Sequence, residues 1–158
     1  MSETKGRGRT RNSRVIRAGR EAVYRAFTSP DALAVWMAPG DMTAKVHQFD
    51  ERVGGGYVMS LFYPEADESS QGKSGEKEDR YTARFLELTP PSRIVEAITF
   101  DSDDPGFAGE MIMDVTLEAQ DSGTNVTIEF RDIPPGIKPE DNEAGTEQSL
   151  DKLARYVE

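Results

Sequence analysis

Apolar and polar side chains alternate along most of this chain. The cleanest run sets Met111, Met113, Val115 and Leu117 against Ile112, Asp114, Thr116 and Glu118. A two-residue period is that of a half-buried strand. Tyr57, Met59, Leu61 and Tyr63 alternate with Val58, Ser60 and Phe62 in the same way. Tyr81, Ala83 and Phe85 fall on one face of a further strand, and Val126, Ile128 and Phe130 mark the last. Residues 94–100 are β-branched and apolar, residues 43–50 alternate loosely, and residues 12–18 read as a short first strand around Val15 and Ile16. Turn signals separate these runs: Gly54-Gly55-Gly56, Pro90-Pro91, Asp103-Asp104-Pro105-Gly106 and Asp121-Ser122-Gly123. Short spacings and tight turns predict antiparallel hairpins, since parallel crossovers need a dozen or more residues.

Three segments carry the helical period instead. Val23, Ala26 and Phe27 form one stripe over residues 20–28, which Ser29-Pro30 ends. Pro30 is placed to open a second short helix, because the first helical position needs no N–H. Leu33 and Trp36 stand on one face of it, and Pro39-Gly40 closes it. A long C-terminal helix begins near Pro139, with Leu150, Leu153 and Val157 as its apolar stripe. Its first turns, residues 142–149, hold no large apolar side chain, only small and polar ones such as Ala144 and Gly145. That half is expected either to roof a cavity or to end half-exposed.

Composition narrows the picture. At 158 residues the chain suits one domain. Without Cys it has no disulfides or thiolate zinc site, and its single His makes no metal cluster. No metal and no cofactor is expected. No run is apolar enough for a membrane span, so a cytoplasmic domain is the expectation. Charge is uneven. Lys5, Arg7, Arg9, Arg11, Arg14, Arg17 and Arg20 against Glu3 make the first 20 residues +6, which leaves −16 for the rest of a chain of −10. Residues 1–11 are expected as a disordered basic tail and 12–158 as the domain. An acidic body repels phosphate, so nucleic acid is not expected as the main partner. Residues 65–79 are polar and rich in Ser, Gly, Glu and Lys, either a hairpin tip or a lid.

The order of elements and several motifs resemble the START-related SRPBCC superfamily, also known as polyketide cyclase/dehydrase or Bet v 1-like. Within it, the chain resembles the branch similar to activators of the heat-shock-protein ATPase. Val23-Tyr24-Arg25-Ala26-Phe27-Thr28 with Pro30, Leu33 and Trp36 is similar to the family's opening pattern. Asp50-Glu51-Arg52-Val53-Gly54-Gly55 resembles its D-x-R-x-G-G turn, and the segment from Phe85 to Ile94 its Pro-Pro hairpin. Thr124-Asn125-Val126-Thr127 resembles the last strand, and Gly145, Leu150 and Leu153 the terminal helix. The family's usual Trp after that Gly is Thr146 here. The resemblance implies an α+β helix-grip fold: a seven-stranded antiparallel sheet curled around the C-terminal helix, with two short helices after the first strand. It also implies an apolar cavity between sheet and helix.

The candidate lining is Trp36, Tyr57, Met59, Leu61, Tyr81, Phe85, Phe100, Met111, Met113, Phe130 and Gly145. Aromatic bodies with polar tips and adaptable Met side chains suit an apolar ligand with one or two polar groups. The first functional expectation is therefore a START-like protein that binds a small hydrophobic molecule or lipid. A cavity enzyme of cyclase or hydrolase type is the second, with His47, Tyr57 or Tyr81 as its acid/base groups. It ranks lower because no nucleophile–base pair is visible. On its strand His47 shares parity with Lys45 and Phe49, opposite Val46. The third is an interaction module that docks on a chaperone. No catalytic residue is assigned, and monomer and homodimer both remain open. The triple glycine lacks the Lys-Ser/Thr of a phosphate loop, and 101–104 lacks the EF-hand pattern. Arg80 and Arg84 are expected to pair with acidic surface groups.

Overall fold

A computed structural model describes residues 8–64 and 78–158. Strand β1 (Gly8–Ile16) is followed by helices α1 (Arg20–Phe27) and α2 (Pro30–Trp36). Six strands come next: β2 (Thr43–Asp50), β3 (Gly56–Phe62), β4 (Glu78–Thr89), β5 (Arg93–Phe100), β6 (Met111–Gln120) and β7 (Gly123–Ile133). Helix α3 (Pro139–Val157) ends the chain. The strands form one sheet in the order β1-β7-β6-β5-β4-β3-β2. Every neighbouring pair is antiparallel. The helix-grip expectation matches this architecture.

Strand β1 starts earlier than the apolar pattern indicated. Thr10 and Arg11 pair with Phe130 and Glu129 of β7, so residues 8–11 belong to the sheet and not to a tail. Arg9 and Arg11 are exposed there, which hides the strand from an apolar-alternation test. The remainder of the expected tail, and residues 65–77 of the expected loop, lie outside the described residues. Glu78 and Asp79 belong to β4.

Register breaks bend the sheet. One falls between Val46 and Gln48, so His47 is the extra residue of a bulge. Val46 and Phe49 then both oppose inward residues of β3, Met59 and Tyr57. The simple parity that grouped His47 with Phe49 is thereby corrected. A second break between Phe85 and Glu87 displaces Leu86 outward. Bulges raise local twist, which curls the sheet. The triple glycine is a turn, as its sequence context implied. Gly56 has φ +152°, and a Cβ there would sit 1.8 Å from the carbonyl oxygen of Ala83. Only glycine allows β3 to approach β4 that closely.

The two short helices close one end of the curl. Ser29 caps α2 by accepting the Ala32 N–H at 3.3 Å, worth about 1 kcal/mol. The Trp36 indole donates to the Ala26 carbonyl at 2.8 Å and meets Phe27 edge-on at 4.8 Å. Helix α3 lies across the concave face with Leu150, Leu153 and Ala154 buried in the core. No helix among the described residues is long and apolar enough to cross a membrane.

Gly145 is an interior residue of α3, and a Cβ there would find only Pro39, at 3.8 Å. Gly145→Ala should therefore stabilise the protein by about 0.5–1 kcal/mol through helix propensity. Urea denaturation checks this. A lower midpoint in the variant would mean that this position does not tolerate a side chain.

Candidate functional site

Helix α3 is built in two halves, and the site follows from the difference. Its C-terminal half buries leucines against the sheet. Its N-terminal half offers Asn142, Gly145, Thr146 and Ser149, small or polar groups that line a gap together with residues of β3 to β7. Three bonds hold this half above the gap. Ser149 Oγ donates to the Met37 carbonyl at 2.7 Å, Asn142 Nδ2 to Thr10 Oγ1 at 3.0 Å, and Asn12 Nδ2 to the Glu143 carbonyl at 3.2 Å. Lys152 Nζ adds a bond to the Ala38 carbonyl at 2.6 Å. A cavity of about 380 Å³ remains beneath, within the size range of small-molecule sites.

Eight of the eleven expected lining residues surround it: Trp36 from α2, Leu61 from β3, Tyr81 from β4, Phe100 from β5, Met111 and Met113 from β6, Phe130 from β7, and Gly145 from α3. The structure places Tyr57, Met59 and Phe85 in the adjoining core instead, each almost wholly buried. Phe85 and Tyr57 pack with Phe49 in an aromatic cluster. Met59 Sδ accepts the Tyr81 hydroxyl at 3.1 Å. The sequence reading missed Ile98 and Ile128, which share the parity of Phe100 and Phe130 and were legible by that rule. It also missed Met37, Met42 and Ile137, which come from loops and helix ends where no period applies.

The most informative omission is Glu96. It faces inward on β5, opposite Phe85 and Met113, and is 1% exposed. The Tyr57 hydroxyl donates to its Oε1 at 2.7 Å. Burial raises its pKa to about 7, against which the Tyr57 bond acts only partly. Tyr57 and Tyr81 are both pushed upward, chiefly by burial and then by the Glu96 charge, so both hydroxyls keep their protons. They can donate hydrogen bonds but do not serve as bases near neutral pH. Glu96 shares parity with Ile94 and Ile98, so a carboxyl on the apolar face was the signal to read.

His47 lies elsewhere. Its Nε2 is 2.9 Å from Ser60 Oγ, and Ser60 also hydrogen-bonds to Glu78. Ser60 and His47 face away from the cavity, and Ser60 has no exposed surface. A serine donating to a carboxylate and shielded from solvent is not an activated nucleophile. Of the two arginines on β4 expected to meet acidic groups, Arg84 pairs with Glu110 at 3.0 Å.

With that geometry in place, comparison with known proteins decides the family. The family model "Activator of Hsp90 ATPase homolog 1-like protein" matches residues 17–158. The chain belongs to this family. The family is part of the SRPBCC superfamily. A crystal structure of a protein from Chromobacterium violaceum is 37% identical and has a TM-score of 0.81, covering 95% of this chain and 97% of that one. An NMR structure of the AHSA1-like protein from Aeromonas hydrophila is 24% identical with a TM-score of 0.70, covering 95% and 92%. A protein from Nitrosomonas europaea shares the fold at 19% identity and a TM-score of 0.72, covering 97% and 95%. No curated protein matches the sequence.

The raised Glu96 pKa fixes a pH dependence for this family member. Between its ordinary value of 4.5 and about 7, the folded state holds a proton that the unfolded chain releases. Stability from this group is complete below pH 4.5, falls as pH rises, and is lost above pH 7. The full span is about 3 kcal/mol. Glu96→Gln should flatten that part of the profile and be the more stable protein at pH 8. Denaturation at pH 5 and pH 8 checks it; equal pH slopes in both proteins would contradict it.

Proposed function

We propose that this protein binds a small hydrophobic molecule in the cavity between the curled sheet and α3, without chemistry of its own. The observation that carries this reading is the 380 Å³ space walled by Trp36, Leu61, Phe100, Met111, Met113 and Phe130 under a helix half made of small residues. Apolar walls with few polar groups suit an apolar ligand. Burying a ligand there recovers the contacts and apolar burial that an open concave face lacks. The enzyme reading has less support: the tyrosines keep their protons, and His47 sits on the other side of the sheet. A chaperone-activating role is favoured only by the description of the family.

Thermal shift against a panel of lipids and aromatic compounds tests the binding reading. A ligand at a hundredfold excess over its dissociation constant should stabilise the protein by about 2.7 kcal/mol. Gly145→Phe should keep the fold but fill the cavity and abolish the shift. No shift across the panel, or equal shifts in wild type and Gly145→Phe, would contradict the proposal.

A further inference from the structure

One stretch of the cavity wall is held differently from the rest. Met37, Pro39 and Met42 line the cavity from the segment 37–42, which joins α2 to β2. Its ends are fixed. Trp36 before it is pinned by the indole bond to the Ala26 carbonyl, and Thr43 after it pairs with Phe62 of β3. Inside it, the Met42 N–H donates to the Pro39 carbonyl at 3.1 Å, and Gly40 turns the chain at φ +58°. Glycine adopts that angle without steric cost.

Helix α3 turns one stripe toward this segment: Gly145, Gln148, Ser149 and Lys152, at spacings of three and four. Gly145 presents no side chain there, and a Cβ on it would lie 3.8 Å from the Cβ of Pro39. Gln148 Oε1 lies over Gly40, 3.1 Å from where a Cβ would stand. Ser149 Oγ donates to the Met37 carbonyl at 2.7 Å, and Lys152 Nζ donates to the Ala38 carbonyl at 2.6 Å and the Met42 carbonyl at 3.5 Å. Among the described residues, these three hydrogen bonds are the ones that join the segment to α3. The ammonium of Lys152 is the strongest donor, and its protons serve both ends of the segment. All three bonds come from side-chain tips, which turn away without moving either backbone. A second rim of the cavity is built otherwise. The Gly136 N–H donates to the Gly106 carbonyl at 2.7 Å, and a Cβ on Gly136 would stand 2.7 Å from the same oxygen. Backbone meets backbone there, so parting the two requires main-chain movement.

We propose that segment 37–42 is the gate through which ligand enters the cavity, and that Lys152 is its latch. This rests on the binding reading above and adds the route and its control. With the latch made, Met37 and Met42 close the wall over the ligand. With it broken, the segment swings away from α3 between its fixed ends. The seam at Gly145, where no side chain interlocks, then opens. Lys152 is a positioning residue, since it holds the wall without being part of the lining. It governs how fast ligand exchanges more than how tightly it binds, because opening speeds entry and exit alike.

Two variants of the full chain test it, with 2-naphthaleneethanol as the probe and exchange rates read from methionine methyl line shapes. Lys152→Met keeps the apolar stem and removes the donors. It should raise association and dissociation rates together by about tenfold or more, with the dissociation constant moving by less than about threefold. Pro39→Cys combined with Gly145→Cys staples the seam, since a Cβ separation of 3.8 Å suits a disulfide and the chain has no other Cys. The oxidised pair should exchange the probe at least about tenfold more slowly than the same protein reduced. An oxidised pair as fast as its reduced form would overturn the proposal and point to entry at the Gly106–Gly136 rim. A Lys152→Met protein that loses affinity at an unchanged association rate would overturn the latch. Without any ligand, the Met42 amide should exchange its hydrogen about tenfold faster in Lys152→Met, and equal exchange would also overturn the latch. Failure of the unmodified protein to bind either 2-naphthaleneethanol or 1-decanol would defeat the underlying binding reading instead, and hydrogen exchange would still judge the segment.

Discussion

A single helix must cover the concave face of a seven-stranded sheet, and α3 covers only part of it. Its three buried apolar residues, Leu150, Leu153 and Ala154, fall in its C-terminal half. The sheet is bent around them by register breaks in β2 and β4. Where the helix turns small and polar, the curl has nothing to close upon, and the hydrogen bonds from Asn142, Ser149 and Lys152 hold the roof at its height. A well-packed core would exclude such a space. The cavity is thus a consequence of how apolar volume is distributed along one helix.

The two faces of the sheet treat charge oppositely. On the outer face, Asp114 is held below the usual carboxylate range, first by its hydrogen bonds to Arg93. Arg131 and Glu87 extend that network, and because Asp114 is buried while the arginines are partly exposed, it is loss of the arginines that leaves a costly lone charge. On the inner face, Glu96 has one neutral donor and an apolar setting, and its charged form is penalised. One acid fastens strands together; the other makes the interior responsive to pH. Both lie on central strands, so the contrast comes from which face each side chain takes.

Strand alternation made most of the sheet legible, because inward positions on β3, β4, β6 and β7 are apolar almost without exception. It failed at the start of β1, where an edge strand carries arginines and polar groups and so lacks the pattern. It failed again at His47, where one extra residue shifts every later side chain to the other face. Glu96 shows a different limit: residues 94–100 read as one β-branched, apolar run, and the carboxyl that shares parity with Ile94 and Ile98 has no place in that reading. The loop residues Met37 and Met42 had no periodic signal at all. They reach the cavity because Trp36 and Ser149 fix the path of the chain between α2 and β2.

Methyl resonances of methionine give the most direct test that a ligand occupies this space. Met37, Met42, Met111 and Met113 line the cavity, whereas Met59 lies in the core beside it. Titration of a labelled sample with 2-naphthaleneethanol should shift all four lining methyls in saturable, parallel fashion and leave Met59 nearly unmoved. Saturable shifts confined to other parts of the protein would contradict the account, as would four lining methyls that do not respond.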